Sequence, residues 1–446
     1  MDDFRKIAAR IAADIEAGHL RPGDRLPPQR TFAHEQGIAA STAGRVYTEL
    51  VRRGLVSGEV GRGTYVRASM PSPHPALAEP PDSPVDMETN YPVLPDQHRR
   101  LAPALGLFSS RGDVLGEALR ATLADGTHAA RIATTTALTD ANWRPSPTSL
   151  LFAGNGRQAL AAAFSALVPR GGRIGFDTLT YPVALATARH LGLTPVPLET
   201  DAEGLRPDAI EQAVKEAPLH ALYLQPTLHN PLGLTMSVQR RTDIAAFLAR
   251  PGYPTAIEDR VYAFLEPEAP PPLAAWVPNH VVVVDSLSKR IAPGLTLGML
   301  WVPEGLRSQV GKALVAGAWT ASGFALALST RWLSDGTVEE LARSKRADAR
   351  VRQTTATRLL RGLPLRSNPA SYHVILDLPE PWRADPYAQA ARQRGIAITP
   401  ASAFAVAPGH APNAVRLALA APPLDRLSPA LQELAALARS DPTEAP

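Results

Sequence analysis

The apolar and polar positions divide the 446-residue chain into three stretches. Residues 1–68 show helical spacing followed by an extended stretch, residues 69–90 are rich in proline, and residues 91–446 alternate strand-like apolar runs with helical segments. Because proline-rich segments favour the extended polyproline II conformation, we predict that residues 69–90 form a semi-rigid linker between two folded parts.

The first stretch predicts three helices followed by a hairpin. Apolar residues between Phe4 and Ile15 lie at helical spacing, and a second helix is expected from about residue 30 to residue 36. A third helix is expected to begin at Ser41 or Thr42 as its capping residue. Residues 55–66 are typical of two strands around a glycine-rich turn, so the order of elements predicts a winged helix-turn-helix.

The last stretch predicts an α/β body. Continuous apolar strands that are linked by helices form a mostly parallel sheet with both faces covered. We predict a large subdomain over about residues 110–315 and a smaller α+β subdomain over about residues 320–440. The runs that indicate the strands are residues 173–177, 221–224, 255–259 and 281–285.

Composition narrows the chemistry of this chain. It has no cysteine, which excludes disulfides, thiol nucleophiles and thiolate metal sites. No apolar run is long enough to span a bilayer and no signal-peptide core is present, so we expect a cytoplasmic location. Between Arg25 and Arg67 the chain carries seven arginines against three glutamates, a charge balance suited to a face that meets DNA phosphates.

Only five lysines occur, so each can be considered individually. Lys289 follows the apolar run that ends at Asp285 and is flanked by Ser286 and Ser288. A lysine amine in a partly desolvated cleft has a lowered pKa and forms a Schiff base with an aldehyde. Taken alone, the position is more typical of a surface lysine at the start of a helix.

Other polar residues also follow predicted strands, where α/β sheets bind their ligands. Asp259 could be the partner of a protonated pyridine nitrogen or the cap of a helix. Tyr262 lies one helical turn after it. Asn230 lies in a turn and is able to donate to a phenolate oxygen. Arg416 lies in a late strand, where its planar guanidinium suits a carboxylate as well as a surface position.

A glycine-rich segment opens another predicted helix. In Ala153-Gly-Asn-Gly-Arg157 the glycines let backbone N–H groups approach a phosphate, and the helix dipole adds to the attraction. Such helix starts are common and fit a purely structural turn as well. Tyr181 precedes a proline after the next strand and is placed to stack on a flat ring.

Residues 4–66 resemble the DNA-binding domain of GntR-type bacterial regulators. The resemblance lies in Gly18 to Arg30, in Gly37-Ile38 and in Gly61 to Val66. It implies that the start of the third helix reads the major groove of operator DNA and that the wing tip enters the minor groove. Many members carry an arginine in place of Ala40, and Arg45 is expected to take over that contact. The implied DNA-binding residues are Arg30, Ser41, Thr42, Arg45, Arg62, Gly63 and Thr64.

The order and spacing of the polar residues in the body resemble fold type I aminotransferases over about residues 86–436. Together with the N-terminal module, this organisation resembles the MocR-type regulators of the GntR family. The resemblance implies pyridoxal 5′-phosphate as cofactor, held as an internal aldimine on Lys289, and an effector carboxylate bound by Arg416. The other implied contacts are Asp259 with the ring nitrogen, Asn230 and Tyr262 with the 3′-oxygen, Tyr181 with the ring face, and Asn155, Gly156, Arg157, Ser286 and Ser288 with the phosphate.

One position departs from the aminotransferase pattern. Seven residues after the lysine the family usually has an arginine that neutralises the cofactor phosphate, whereas this chain has Thr296. The loss of such a charge-assisted contact costs about 1.5–3 kcal/mol when nothing replaces it. Arg157 and Arg290 are both candidates for the compensating charge.

Our leading hypothesis is a pyridoxal phosphate-dependent transcriptional regulator without physiological turnover. It binds double-stranded operator DNA as a head-to-tail homodimer and senses pyridoxal phosphate or a small amino compound. One alternative is an active aminotransferase with an accessory DNA-binding module, which Lys289, Asp259 and Arg416 permit. A second alternative, motivated by Thr296, is a regulator that has lost the cofactor and senses another metabolite.

Overall fold

The computed structural model of the chain describes residues 3–16, 19–20, 23–59, 63–66, 83–139, 143–407 and 411–442. The chain divides into two compact units. The terminal unit comprises Met1–Asn90, Thr354–Ser367 and His373–Pro446, and the central unit comprises Tyr91–Gln353 and Asn368–Tyr372. Within the described ranges, no helix has the length and apolarity needed to cross a membrane.

The N-terminal region forms the predicted winged helix-turn-helix. Its core packs apolar residues of the first helix, including Phe4 and Ile11, with Val46 and Leu50 of the third helix. The two-stranded wing and a short third strand form one antiparallel sheet. The elements are α1 (Asp3–Glu16), β1 (Arg25–Leu26), α2 (Gln29–Glu35), α3 (Ala40–Arg52), β2 (Val56–Glu59) and β3 (Gly63–Val66), and after the stretch 67–82, which lies outside the described residues, β4 (Val85–Asp86).

The start of α3 differs from the prediction. The capping residue is Ala39, and its side chain makes no capping hydrogen bond. Ser41 and Thr42 were expected to be caps but lie within the first turn of the helix. The preceding Gly37-Ile38 turn, in which the Ile38 N–H donates to the Ala33 carbonyl, sets the helix start independently of a polar cap.

The central unit holds the large sheet and the helices around it. Its elements are α4 (Gln97–Ser110), α5 (Gly112–Ala118), α6 (His128–Leu138), β5 (Leu150–Ala153), α7 (Gly156–Leu167), β6 (Arg173–Asp177), α8 (Pro182–His190), β7 (Thr194–Leu198), β8 (Thr200–Asp201), β9 (Gly204–Leu205), α9 (Pro207–Glu216), β10 (Leu219–Leu224), α10 (Val238–Leu248), β11 (Thr255–Asp259), β12 (Val281–Ser286), α11 (Leu287–Arg290), β13 (Gly298–Trp301), α12 (Glu304–Ala316), α13 (Gly323–Ser334) and α14 (Thr337–Leu359), which continues into the terminal unit.

Seven strands form the large sheet in the order β5-β13-β12-β11-β10-β6-β7. The pairs from β12 to β7 are parallel, and β13 runs antiparallel to both of its neighbours. Every residue of β12 is buried, as expected for a strand covered on both faces. The structure therefore confirms a mostly parallel sheet, and it places the carboxyl ends of β10, β11 and β12 side by side.

The C-terminal part of the terminal unit is a smaller α+β fold. Its elements are β14 (Leu365–Ser367), β15 (His373–Asp377), α15 (Ala384–Gln393), β16 (Ile396–Ala397), β17 (Thr399–Pro400), β18 (Ala414–Ala418) and α16 (Leu424–Arg439). Four of the strands form an antiparallel sheet in the order β14-β15-β18-β17.

The end of the predicted linker belongs to this fold. β4 pairs in parallel with β16, and the N–H of Met87 donates to the Ala397 carbonyl at 2.9 Å. Met87 is fully buried. Residues 83–90 therefore contribute to this fold, and the predicted domain boundaries stay predictions. The short strand escaped prediction because two residues cannot display a hydrophobic period.

Candidate functional site

One pocket of the central unit gathers the residues that follow the strands of the large sheet. It encloses a cavity of about 210 Å³. All of the predicted cofactor residues line it, namely Asn155, Gly156, Arg157, Tyr181, Asn230, Asp259, Tyr262, Ser286, Ser288 and Lys289. The fold thus brings these positions together, and their individual roles stay predictions.

Sheet register explains why two of these residues meet. β11 and β12 are parallel neighbours, with Asp259 paired to Val284. Asp259 is the last residue of its strand, and Ser286 ends the adjacent strand before the one-turn helix that carries Lys289. A carboxylate and an amine therefore face the same pocket from adjoining strand ends.

Aromatic rings surround the amine of Lys289. Its Nζ lies 3.6 Å from the centre of the Tyr91 ring and 5.6 Å from the centre of the Tyr262 ring. Ring faces attract a cation, so these contacts hold the amine at the pocket wall. Tyr91 was not among the predicted site residues, because it follows a proline-rich stretch whose sequence shows no regular period.

The carboxylate of Asp259 is buried and held by three donors. Its Oδ2 accepts hydrogen bonds from the Tyr223 hydroxyl at 2.9 Å and from Gln225 Nε2 at 3.0 Å, and its Oδ1 accepts from the Val261 N–H at 3.0 Å. Burial raises the pKa of Asp259 to about 6, although the hydrogen bonds oppose that rise. A buried carboxylate of this kind is suited to a cationic N–H group.

Gln225 connects this carboxylate to the turn that carries Asn230. The side-chain oxygen of Gln225 accepts a hydrogen bond from the Asn230 N–H at 3.2 Å. A buried pair holds the same turn, in which His229 Nε2 lies 2.9 Å from Asp177 Oδ2. Gln225 and Tyr223 escaped prediction because a strand-end glutamine and a buried tyrosine reveal their partners only in the folded sheet.

Three hydroxyl groups form a cluster at the other end of the pocket. The Thr296 hydroxyl lies 2.6 Å from that of Ser288 and 3.1 Å from that of Ser286, and the two serine hydroxyls are 2.9 Å apart. We call Ser286, Ser288 and Thr296 the hydroxyl cluster. Each hydroxyl can turn its hydrogen outward to an anion, so the residue found in place of the usual arginine is part of a polar cradle.

The N-terminus of α7 approaches this cluster closely. Asn155 caps the helix by accepting from the Gln158 N–H at 2.9 Å, and the N–H groups of Gly156 and Arg157 in the first turn have no partner within the helix. A Cβ atom at Gly156 would lie only 2.9 Å from the Ser286 Cβ. Glycine at this position therefore allows backbone donors and hydroxyls to face one anion.

The two arginines considered as replacement charges have different surroundings. Arg290 is buried, and its Nη1 lies 2.6 Å from Asp285 Oδ1. Arg157 is an exposed residue that lines the pocket, and its Nη2 donates to the Tyr91 hydroxyl at 2.8 Å. Arg157 also interacts with Tyr181, whose pKa burial raises to about 12.

These groups fit pyridoxal phosphate. The hydroxyl cluster and the N-terminus of α7 present donors to a phosphate, Asp259 presents a buried carboxylate to a ring nitrogen, and Lys289 presents an amine to an aldehyde.

Arg416 lies in the terminal unit, on β18. It is buried, its guanidinium carbon lies 4.8 Å from the centre of the Phe404 ring, and its Nη2 donates to the carbonyl oxygen of Glu88. Its predicted contact with an effector carboxylate stays a prediction.

The predicted DNA-binding residues lie on α2, α3 and the wing. Arg30 and Ser41 are exposed in the first turns of their helices, and Arg45 is exposed one turn further on, with its guanidinium carbon 4.1 Å from the centre of the Phe4 ring. Thr42 follows Ser41, Gly63 and Thr64 begin β3, and Arg62 lies outside the described residues.

Two family matches together cover most of the chain. Residues 125–434 match aminotransferase class I and II, and residues 4–66 match the gntR family of bacterial regulatory proteins. The chain belongs to the class I and II aminotransferase family. Its N-terminal GntR region, a DNA-binding domain, gives it the organisation of a MocR-type regulator.

Similar proteins share this organisation. An HTH-type transcriptional regulator of Bacillus subtilis, YdeF, is 29% identical over 94% of this chain and 90% of its own length. The vitamin B6 salvage pathway transcriptional repressor PtsJ of Salmonella typhimurium is 28% identical over 65% of each chain.

Solved aminotransferases share the fold of the body. An archaeal alanine:glyoxylate aminotransferase matches with a TM-score of 0.73 and 21% identity, over 80% of this chain and 90% of its own. LysN, the α-aminoadipate aminotransferase of Thermus thermophilus in complex with N-(5′-phosphopyridoxyl)-L-leucine, matches with a TM-score of 0.70 and 20% identity, over 80% of this chain and 92% of its own.

Proposed function

We propose that this MocR-type regulator binds pyridoxal 5′-phosphate in the central unit and uses the occupancy of that site to control operator binding by the GntR region. The observation that carries the proposal is the meeting of Lys289, Asp259 and the hydroxyl cluster in one pocket. A pocket that offers an amine, a buried carboxylate and a phosphate cradle suits this cofactor better than it suits a neutral metabolite.

When bound, pyridoxal phosphate supplies an aldehyde that condenses with amines. The residues of the chain hold and orient it. The Lys289 amine is the attachment point, and the Asp259 carboxylate keeps a proton on the ring nitrogen. Tyr223 and Gln225 fix that carboxylate through hydrogen bonds of 2.9 and 3.0 Å. Asn230 and Tyr262 are assigned to the 3′-oxygen, and Tyr181 is assigned to the ring face.

The effector in this proposal is a small amino compound. Its amine would compete with the Lys289 amine for the aldehyde that the cofactor supplies, and the Lys289 side chain would then be free of the ring. A carboxylate on the compound is assigned to Arg416. PtsJ, a repressor of vitamin B6 salvage by its name, supports a link between this family and the cofactor.

A homodimer completes the proposal. Large exposed apolar side chains lie on helices of the central unit that pack together and on the segment that follows α5, where Leu119 and Leu123 have 74% and 75% of their surface exposed. The others are Leu105, Ile132 and Phe324. Exposed apolar side chains favour burial against another protein surface, and a second copy of the chain presents the same residues.

Visible absorbance tests the attachment. The full-length protein mixed with pyridoxal phosphate is expected to show the band of a cofactor bound to lysine, and Lys289→Ala is expected to lack it. Lys312→Ala, which changes a lysine outside the pocket, is the matched control. A band of equal strength in Lys289→Ala, or no band in the unaltered protein, would reject the proposed site.

Catalytic turnover is the second candidate function, because an aminotransferase needs the same lysine and carboxylate, and Lys289 and Asp259 line one pocket in this chain. The same mixture, supplied with an amino acid and with a second 2-oxo acid that accepts the amino group, distinguishes the two functions. Steady release of a keto acid would favour an aminotransferase, whereas a stable spectral change without release would favour a sensor.

A further inference from the structure

We propose that the guanidinium group of Arg157 supplies the positive charge for a phosphate monoester at the hydroxyl cluster. In most aminotransferases of this type an arginine at the position of Thr296 has that role. The inference deepens the proposed function, since the phosphate is that of the proposed cofactor. It assigns to this chain a phosphate site in which the charge comes from the start of α7 rather than from the segment after Lys289.

A phosphate monoester demands more than hydroxyl donors. It carries a charge of about −1.5 to −2 at neutral pH. The three hydroxyls of the cluster are neutral, and Asp259 adds negative charge to the pocket wall. Backbone N–H groups at a helix start contribute only a partial positive charge. A full cation near the cluster is therefore required for tight binding.

Arg290 does not meet this requirement. Its Nη1 is paired with Asp285 Oδ1 at 2.6 Å, and its guanidinium carbon lies 5.1 Å from the centre of the Phe264 ring. Both partners of the ion pair are buried. To reach an anion, Arg290 would have to leave a buried carboxylate without its charge partner, which is strongly unfavourable.

Arg157 meets it. Of the described residues that line the pocket, Arg157 and Lys289 carry the full positive charges, and the Lys289 amine is assigned to the aldehyde. Arg157 stands beside Gly156, whose backbone approaches Ser286 of the cluster. Its side chain is held by Tyr91 and Tyr181, both of which also line the pocket. Arg157 and the hydroxyl donors thus line one pocket, and the guanidinium has no carboxylate among these partners.

Binding of phosphorylated and unphosphorylated ligands tests the inference without using the aldehyde. Pyridoxine 5′-phosphate and pyridoxine carry no aldehyde, so they report on the ring and phosphate contacts alone. Isothermal titration of the full-length protein with each compound gives the affinity ratio that the phosphate confers. The variants are Arg157→Met, Arg157→Met with Thr296→Arg, and Arg206→Met as a control at an exposed arginine outside the pocket.

We expect the unaltered protein and Arg206→Met to prefer the phosphorylated compound strongly. Arg157→Met should lose about 10- to 150-fold of that preference, the range typical of one charge-assisted contact, while its affinity for pyridoxine stays the same. Thr296→Arg in the same chain should restore most of the loss. Equal preference in Arg157→Met and in the unaltered protein would overturn the inference, as would an unaltered protein without any preference.

Failure of the proposed function gives a different pattern. If Arg157 binds the phosphate but Lys289 does not attach the aldehyde, the titrations behave as expected and the absorbance of Lys289→Ala equals that of the unaltered protein. If Lys289 attaches the aldehyde but Arg157 is uninvolved, the absorbance difference appears and Arg157→Met keeps its preference for the phosphorylated compound.

Discussion

The buried amine of Lys345 donates a hydrogen bond of 2.9 Å to the backbone carbonyl of Lys289 and one of 2.6 Å to the carbonyl of Ile291. The Tyr372 hydroxyl shares its one hydrogen between the Lys345 carbonyl, 2.8 Å away, and Asp348 Oδ2, 2.9 Å away. One of the five lysines of the chain therefore supports the segment that carries another of them.

Replacement of Lys345 by methionine is expected to destabilise the protein. The change removes the donor to the part-buried Lys289 carbonyl, and an unsatisfied acceptor away from water typically costs about 1–3 kcal/mol. Denaturant unfolding of the full chain measures the loss, and Lys312→Met serves as the matched surface control. An unfolding free energy equal to that of the control would show that the Lys345 contacts do not stabilise this segment.

The stability difference between the unaltered protein and Lys345→Met should also depend on pH. Burial lowers the pKa of Lys345 to about 7, although Asp348 opposes this shift. Between pH 7 and the ordinary lysine range the unfolded chain then holds one more proton than the folded chain, so the relative stability of the unaltered protein rises with pH. The expected slope is up to about 1.4 kcal/mol per pH unit, and a difference that stays constant from pH 7 to about pH 9 would contradict it.

Cofactor affinity is expected to fall as the pH drops through about 6. The raised pKa of Asp259 means that its carboxyl takes up a proton near pH 6, and a neutral carboxyl no longer attracts a protonated ring nitrogen. Asp259→Asn should bind pyridoxine 5′-phosphate about 10- to 150-fold more weakly at pH 7.5 and lose this part of the pH dependence. Parallel pH profiles of the two proteins would remove Asp259 from the ring contact.

Gly156→Ala is expected to weaken binding of phosphorylated ligands. The new Cβ would meet the Ser286 Cβ at 2.9 Å, so the start of α7 must move away from the hydroxyl cluster. Gly305→Ala is the control, because nothing lies within 4 Å of its Cβ position in α12. Titration with pyridoxine 5′-phosphate should show a loss for the first variant only, and equal affinities would show that the helix start does not bind the phosphate.

Arg30→Ala is expected to weaken DNA binding and to reduce its salt dependence. Loss of one phosphate contact lowers the slope of log affinity against log salt by about 0.9. Fluorescence anisotropy with a DNA fragment selected from a random library measures both quantities, with Arg206→Ala as the control. A weaker affinity with an unchanged slope would indicate that Arg30 does not contact a phosphate.

Much of the fold and of the pocket was predictable because strands that are buried on both faces leave continuous apolar runs. Asp259 and Lys289 could be placed at one sheet edge from those runs alone. Tyr91 and Gln225 could not, since their partners come from distant segments. The sequence could not decide between Arg157 and Arg290 for the same reason. Each arginine follows a predicted strand, and only the folded chain shows that Arg290 is paired with Asp285.

In the proposed function, cofactor occupancy at Lys289 controls operator affinity. The most direct measurement is the affinity of the full-length protein for a selected DNA fragment, with and without saturating pyridoxal phosphate, compared with that of Lys289→Ala. We expect a change of about 5- to 150-fold in the unaltered protein, the usual range for coupled sites, and no change in Lys289→Ala. The proposed control would be contradicted if the operator affinity of the unaltered protein were the same with and without pyridoxal phosphate. It would also be contradicted if the affinity of Lys289→Ala changed by the same factor.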